Sequence, residues 1–422
     1  MTPALDGVRR SPALVQEYQR RRLERSFEAF VRAAWHVVEP ATVLKWNWHM
    51  SVLCAYLEAL AFGRLAEPRL IINVPPGTSK SLLASVLWPA WQWTWNPAHR
   101  FLATSNDGPL VVRDSQKQRF VVESEWYQGL WGHRVTIDSS QREKTLFQTS
   151  KLGFRQGIPL RGNVTGKRGD TQIMDDPHDA KKAFSELEIL SDLLAYDQAF
   201  STRVNDAELS RRLLIMQRLR TNDLTGHLLK KSHQKWVHLC IPMEYEGSAG
   251  YDPVKDLGPA FAHLRDPRRA IGELMDPARF SRKSVAVLAE DLGEYGKAGQ
   301  LQQRPTPLGG GIIKAKWWKR WSKGEPLPEI LHVFCSWDTA FTERDHAQAS
   351  FSVCLDWGVF YHDQLDRHCL MLLEAWYDRV DYPALRKRAK EKQLQRKPDA
   401  HLIEKKASGQ SMIQDLRRGH IK

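Results

Sequence analysis

No run of about 18 apolar residues occurs in this 422-residue chain, so no transmembrane helix is expected. The opening MTPALDGVRRSPALVQEYQRRR is charged and lacks the roughly 7–15-residue apolar core of a secretory signal. The protein is therefore not expected to be secreted or to have a membrane partner. Cysteine is scarce. Cys54, Cys240, Cys335, Cys354 and Cys369 are scattered without a CxxC pair. That argues against a structural zinc site and a disulfide framework, and fits a reducing compartment. The histidines make neither HxH nor HExxH, and a Ser-His-Asp hydrolase would need a GxSxG that is missing. No internal repeat of 20–50 residues is visible.

Positive charge is abundant: 62 Lys+Arg against 49 Asp+Glu leave a formal net charge of +13. Such a balance favours a polyanionic partner, nucleic acid before membrane. The excess is uneven, with 12 Lys/Arg against 4 Asp/Glu from Arg386 to Lys422. That stretch reads either as a solvated helix face or as a surface that follows phosphates. Hydrophobic residues make up 42%, enough for buried cores, and the length suits two or three domains.

Residues 12–35 have apolar positions at three- and four-residue spacing and read as a helix, as do residues 48–62. Leu70-Ile71-Ile72-Asn73-Val74 then reads as a strand, PPGTSKS as a loop, and LLASVLWPAWQWTW as a helix. Further strands are expected at 101–104, 171–174 and 213–216, with a polar hairpin-like stretch over 133–160. Helices are expected at 109–123, 184–200 (apolar face Leu187, Leu190, Leu194) and 221–231. Strands alternating with helices predict a mostly parallel sheet covered on both faces. Residues 246–325 are rich in Pro, Gly and charge and read as a linker or small subdomain with one helical stretch at 282–303. Residues 326–422 open a second α/β region, with strands at 331–338, 351–360, 368–376 and 400–404 and a helix at 382–395.

Chemistry concentrates at strand ends. In Val74-Pro75-Pro76-Gly77-Thr78-Ser79-Lys80-Ser81, a lysine and a hydroxyl open a helix, as β/γ-phosphates and Mg²⁺ require. The pattern GxxxxGK[ST] is not met, because Val74 and Ser79 stand at its glycine positions; an ordinary strand-to-helix turn is the other reading. Asp175-Asp176 end a strand 95 residues after Lys80. Asp175 suits the metal and Asp176 the attacking water, although an Asp pair before Pro177 also suits a helix N-cap. Gln217 follows a further apolar run and could reach the γ-phosphate or its water, or mark a plain surface turn. Asp338 and Glu404 each end a strand and could hold divalent metal for phosphodiester cleavage, with Asp345 nearby on a polar loop. The Trp-rich WPAWQWTW is expected in the core rather than stacked on bases.

An ordered series now stands out: LIINVPPGTSKS, FVVESEWYQGLW, RGDTQIMDDPHD, LLIMQRLRTNDLTGHLL, QLQQRPTPLGGGIIKAKWW, FCSWDTAF and LIEKKASGQSMIQDL. With it the chain, from about residue 25 to its end, resembles the large subunit of the tailed-phage DNA-packaging terminase. The resemblance implies an additional-strand P-loop ATPase domain at 65–245 after a helical lead-in at 1–64. An RNase H-like nuclease domain would occupy 326–422. Pro76, Gly77, Thr78, Ser79, Lys80 and Ser81 would bind ATP, and Ser81 with Asp175 would hold Mg²⁺. Asp176 would stand where relatives carry a catalytic Glu, and Gln217 and Arg218 would belong to the motif coupling hydrolysis to movement. Trp46–His49 would lie near the adenine. Arg119, Arg161 or Arg168 would supply an arginine finger, in cis or from a neighbouring subunit. Asp338 and Glu404 would bind Mg²⁺ or Mn²⁺ in the nuclease. Only 18 residues follow Glu404, and Asp415 does not match the family's further acid, so a shortened nuclease of weak or no activity is expected. The implied partners are double-stranded DNA, the small terminase subunit and the portal protein, with the chain in a homo-oligomeric ring. The implied location is the bacterial cytoplasm and, transiently, the portal vertex of the procapsid. Two alternatives remain: a degenerate prophage relic that only binds DNA or assembly partners, and a helicase-like repair ATPase.

Overall fold

The computed structural model describes residues 12–307, 318–321, 324–339, 351–404 and 408–418. The chain divides into two compact units, Met1–Trp317 and Trp318–Lys422. No helix among the described residues is long and apolar enough to cross a membrane.

The first unit is built on eight strands: β1 (Arg69–Asn73), β2 (Phe101–Ser105), β3 (Ile137–Arg142), β4 (Leu146–Thr149), β5 (Phe154–Pro159), β6 (Thr171–Asp175), β7 (Arg211–Met216) and β8 (Val237–Cys240). They lie in the order β3-β4-β5-β2-β6-β7-β1-β8. From β5 to β8 every neighbour is parallel, and β3 and β4 add an antiparallel edge. The central strands are apolar without alternation because both faces are covered. Adjacent residues serve opposite layers. Leu70, Ile72, Phe101, Ile173 and Ile215 pack with Trp88, Trp91 and Trp93 on one side. Ile71, Leu102, Met174, Leu214 and Met216 pack with Tyr196, Phe200 and Leu224 on the other. The Trp-rich run is core, as expected. Trp88, Trp91 and Trp93 are fully buried, and their indole N–H groups donate to the carbonyls of Leu57, Leu23 and His99.

Four expectations need correction. The helix expected over 12–35 is two, Pro12–Arg25 and Phe27–Val38, because Ser26 turns extended (φ −132°) and its hydroxyl caps the second helix at the Ala29 N–H. The helix Glu186–Gln198 buries Ile189, Asp192 and Tyr196, while Leu187, Leu190 and Leu194 are exposed. Its orientation is set by polar bonds: Asp192 accepts from Arg161 Nε (2.7 Å) and from His178 Nδ1 (2.8 Å). The helix expected over 221–231 shrinks to Leu224–Leu229, since Asp223 takes the N-cap position and accepts from the Gly226 N–H. Finally, of the two readings of residues 246–325, linker or small subdomain, the described part 246–307 is packed chain and not a free linker. Tyr251, Leu264 and Met275 enter the main core, and Leu274, Val285 and Leu301 form a smaller cluster with Met243. The helical stretch expected at 282–303 breaks at Gly293, whose φ of +65° ends regular helix.

In the second unit β9 (His332–Asp338), β10 (Ser352–His362), β11 (Arg367–Asp378) and β12 (Ala400–Ile403) form a sheet in the order β11-β10-β9-β12. The first three make an antiparallel meander, and β12 joins β9 in parallel after the helix Tyr382–Arg396. Cys335, Trp337, Cys354, Leu385, Ala389, Met412 and Leu416 form its core.

Candidate functional site

In parallel sheets, ligand chemistry gathers where loops leave the carboxyl ends of the strands. Here β6, β7 and β1 lie side by side, so the loops after Asp175, Met216 and Asn73 share one edge. After β1 the chain curls through Val74–Ser79 and enters a helix at Lys80. Two left-handed residues make the curl, Gly77 (φ +78°) and Ser79 (φ +62°), and the Thr78 hydroxyl closes it on the Pro75 carbonyl (2.9 Å). A Cβ on Gly77 would meet the Phe280 ring at 3.1 Å, so glycine serves both the turn and the packing.

The expected side chains meet. Lys80 Nζ lies 3.0 Å from Asp176 Oδ2. The Ser81 hydroxyl donates to Asp175 Oδ1 (2.9 Å) and the Ser85 hydroxyl to Asp175 Oδ2 (2.6 Å). Burial, reinforced by the neighbouring Asp176 and Asp114 carboxylates, pushes Asp175 up to about 7. A hard cation beside it would favour its ionised form, and the donors there are all oxygens of the kind Mg²⁺ takes. Asp176 holds a left-handed backbone (φ +42°), and its Oδ1 accepts the Gln217 N–H (3.1 Å). Gln217 Oε1 is buried with no hydrogen-bond partner among the described residues.

A cavity of about 650 Å³ opens over this edge. Pro76, Gly77, Ser79, Lys80, Ser81, Asp176 and Gln217 line it. Thr78 and Asp175 do not reach it: they are 1% and 5% exposed and support the wall from behind. The opposite wall includes Trp35, Glu39, Thr42, Val43, Lys45 and Met50, so residues flanking the 46–49 stretch face the cavity, whereas Asn47 Nδ2 and Trp48 Nε1 both donate to the Met275 carbonyl (2.8 and 2.9 Å). His49 is buried, which pulls it down to about 4.

The three arginines expected as fingers lie elsewhere in this chain. Arg119 donates to the carbonyls of Arg142 and Glu143, Arg161 is paired with Glu188 and Asp192, and Arg168 reaches the Val204 carbonyl. The arginines that line the cavity are Arg113 and Arg279. Arg113 pairs with Asp114 (2.8 Å), and Arg279 Nη1 donates to Ser79 Oγ (3.2 Å). Sequence reasoning missed Arg279 because it sits in the stretch read as a linker, 200 residues from Ser79.

Two supporting networks were also missed. Arg155 is buried; it donates to the Ser85 carbonyl, Ser115 Oγ (3.0 Å) and Gln118 Oε1 (2.7 Å), and burial pulls it down to about 10. It serves the wide helical turn Leu82–Leu87, where Pro89 has no N–H to give back to Ser85. Asn73, at the end of β1, donates to the Met216 carbonyl and Thr225 Oγ1 (3.1 Å each) and accepts from His238 Nε2 (2.8 Å). Arg218 points away from the cavity wall: its guanidinium holds Asp223 (3.0 Å), and its N–H donates to Gln303 Oε1 (2.9 Å).

In the second unit, Ile403 of β12 stands opposite Trp337 of β9, so Asp338 and Glu404 follow at the same end of two neighbouring parallel strands. Asp345 lies outside the described residues. Asp415 is engaged by Tyr382 Oη (2.8 Å) and Arg386 Nε (3.2 Å), which tie two helices together. Cys335, Cys354 and Asp356 bring possible ligand atoms within 4.8 Å of one another. The fully buried Lys392 ammonium already neutralises Asp356 at 2.7 Å, so the cluster is a buried ion pair capped by two thiols.

No protein-family model matches the chain, and no curated protein sequence matches it. Among solved structures, the large terminase of the thermophilic bacteriophage D6E in complex with ADP aligns with 87% of this chain and 81% of its own length, at 9% identity and a TM-score of 0.33. The same phage protein in complex with ATP-gamma-S aligns with 87% of this chain and 80% of its own, at 10% identity and 0.33. A further crystal form aligns over the same shares at 10% identity and 0.36. At these scores any functional reading has to come from the chain's own residues.

Proposed function

We propose that the first unit is an additional-strand P-loop ATPase and the chain a DNA-packaging motor subunit of the terminase kind. One observation carries the ATPase reading: Lys80 and Ser81, after β1, meet Asp176 and Asp175, after β6, with β7 between the two strands. Lys80 would bind the β/γ-phosphates, which draw its ammonium away from Asp176. Asp176, so released, can orient the attacking water together with Gln217, whose open Oε1 can accept a hydrogen bond. Gly77, Thr78 and Ser79 would wrap the phosphates with backbone N–H groups, and Pro76, which has none, would shape the loop beside them. Mg²⁺, held by Ser81 and through Asp175, would bridge the phosphates and offset their charge.

The motor reading rests on the seven ordered motifs and on the basic charge. It takes double-stranded DNA as the moved polymer, a ring of copies as the working form, and the small terminase subunit and the portal as partners in the bacterial cytoplasm. Asp338 and Glu404 would hold Mg²⁺ or Mn²⁺ for an endonuclease step. The test is ATP hydrolysis by the full chain, with and without double-stranded DNA, beside Lys80→Ala. Hydrolysis lost in the variant and raised by DNA is expected. A folded chain that hydrolyses no more ATP than Lys80→Ala would refute the motor. Plasmid DNA incubated with Mn²⁺, beside Asp338→Asn, is the matching test for the second unit: weak nicking that the variant loses would support the metal site, and nicking unchanged in the variant would refute it.

A further inference from the structure

The cavity holds more positive charge than its carboxylates neutralise, and two of its cations, Lys45 and Arg279, make no ion pair among the described residues. Lys80 is paired with Asp176 and Arg113 with Asp114. Arg279 has no carboxylate within ion-pair distance among the described residues, and its guanidinium donates to a neutral hydroxyl, Ser79 Oγ, at 3.2 Å. A hydroxyl is a weak acceptor for a guanidinium. A phosphate oxygen offers a charge-assisted and bidentate bond instead.

The backbone that carries Arg279 is clipped to the phosphate loop. Asp276, 4% exposed, accepts the Arg279 N–H through Oδ1 (3.2 Å), and its carbonyl accepts the Phe280 N–H (2.8 Å). The Phe280 ring fills the space beside Gly77 that a Cβ would need. Met275, just before this turn, is held by Asn47 and Trp48. Arg279 is thus delivered to the rim of the loop by a short, anchored turn. Ser79 itself takes a left-handed backbone, φ +62°, that glycine adopts without strain, and its hydroxyl gives Arg279 a resting place.

We propose that Arg279 reads the terminal phosphate of a nucleoside triphosphate. It rests on Ser79 Oγ when the cavity is empty and transfers its guanidinium to the γ-phosphate when a triphosphate enters. The site therefore prefers triphosphate to diphosphate, and the turn at 276–280 registers which is bound. This rests on the reading of the cavity as a nucleotide site. The experiment is titration of the full chain, with Mg²⁺, by the non-hydrolysable β,γ-imido analogue of ATP and by ADP, in wild type, Arg279→Ala, Arg279→Lys and Lys80→Ala. Arg279→Ala is expected to weaken the imido analogue about 10–100-fold, the size of one charged hydrogen bond, and ADP less than about threefold. Arg279→Lys should keep part of the preference, since it retains the charge and loses the fork. Lys80→Ala should weaken both ligands. Equal losses of the two nucleotides in Arg279→Ala, or no loss, would overturn the role of Arg279 alone, provided wild type binds both. A folded wild type that binds neither nucleotide would sink the nucleotide reading and this inference with it.

Discussion

Acid should loosen the first unit between pH 6.5 and 5, above the range in which ordinary carboxylates protonate. Burial pulls His49, His99 and His238 from 6.5 to about 4. A histidine whose folded pKa is depressed binds its proton only after unfolding, so its stabilising contribution is lost as pH falls from 6.5 toward 4. Asp175 works the other way. Its folded pKa is raised from 3.8 to about 7, so the folded state holds a proton that the unfolded state releases, and stability rises as pH falls through that window. Burial also shifts Glu58 of the first unit up, in the same sense as Asp175. Three histidines against one aspartate leave about two protons taken up on unfolding near pH 5.5. At about 1.36 kcal/mol per proton per pH unit, the loss between pH 6.5 and 5 comes to about 3 kcal/mol. That is a large part of the roughly 5–15 kcal/mol that stabilises an ordinary domain.

The assay is urea denaturation of the full chain at pH 7.5, 6.5, 5.5 and 5.0, followed by tryptophan fluorescence, since Trp88, Trp91, Trp93 and Trp131 are all buried in the first unit. In His238→Gln, which keeps a donor toward Asn73, the loss over the same interval should shrink to about 1 kcal/mol. A wild-type stability that is flat from pH 6.5 to 5, or a His238→Gln curve parallel to it, would refute the reasoning.

Three substitutions probe the supports. Gly77→Ala forces a Cβ into a left-handed backbone and against Phe280. It should cost about 1–2 kcal/mol and weaken nucleotide binding, and Phe280→Leu in the same chain should return only the steric part; melting temperature and nucleotide titration read both. Arg155→Leu strands the Ser85 carbonyl and Gln118 Oε1 in the core and should destabilise the first unit by about 2–4 kcal/mol in the same urea titration. Lys392→Met removes the close partner of the buried Asp356 carboxylate and leaves it only the longer ion pair to Arg396 (3.5 Å). The second unit should lose about 3–5 kcal/mol, and Asp356→Asn in that background should recover most of it in thermal melts.

The strands of the large sheet were legible because a doubly covered parallel sheet writes itself as short, continuous apolar runs. β8 was not, since Val237–Cys240 is four residues long and interrupted by a half-buried histidine. Helix faces were less secure. Leu187, Leu190 and Leu194 mark a periodic stripe, yet the bonds from Asp192 to His178 and Arg161 turn that stripe outward. The phosphate loop and its two aspartates were legible because each is a local signal at a strand end. Arg279 and Arg155 carry no such signal: one depends on a fold-back across 200 residues, the other on a carbonyl left open by a proline in the helix that follows β1, four strands from β5 in the sheet's order.

The variant loop and the stretch read as a linker or small subdomain explain each other. A loop without its second glycine exposes a hydroxyl at Ser79, and that hydroxyl is bonded by a residue of the stretch 246–307. The same stretch holds the loop after β7, through Gln303 Oε1 on the Arg218 N–H and the close approach of Gly299 to the Arg218 carbonyl, where a Cβ would come within 2.9 Å. Residues 246–307 thus grip the loop after β1 and the loop after β7 together. Gln217, which faces the cavity, and Arg218, which faces Gln303, are consecutive in sequence. A movement of Gln217 would therefore be felt at the Gln303 contact. A movement of Arg279 off Ser79 would loosen a second point at which the same segment meets these loops. Two strand-end loops and one segment form a closed mechanical circuit around the cavity.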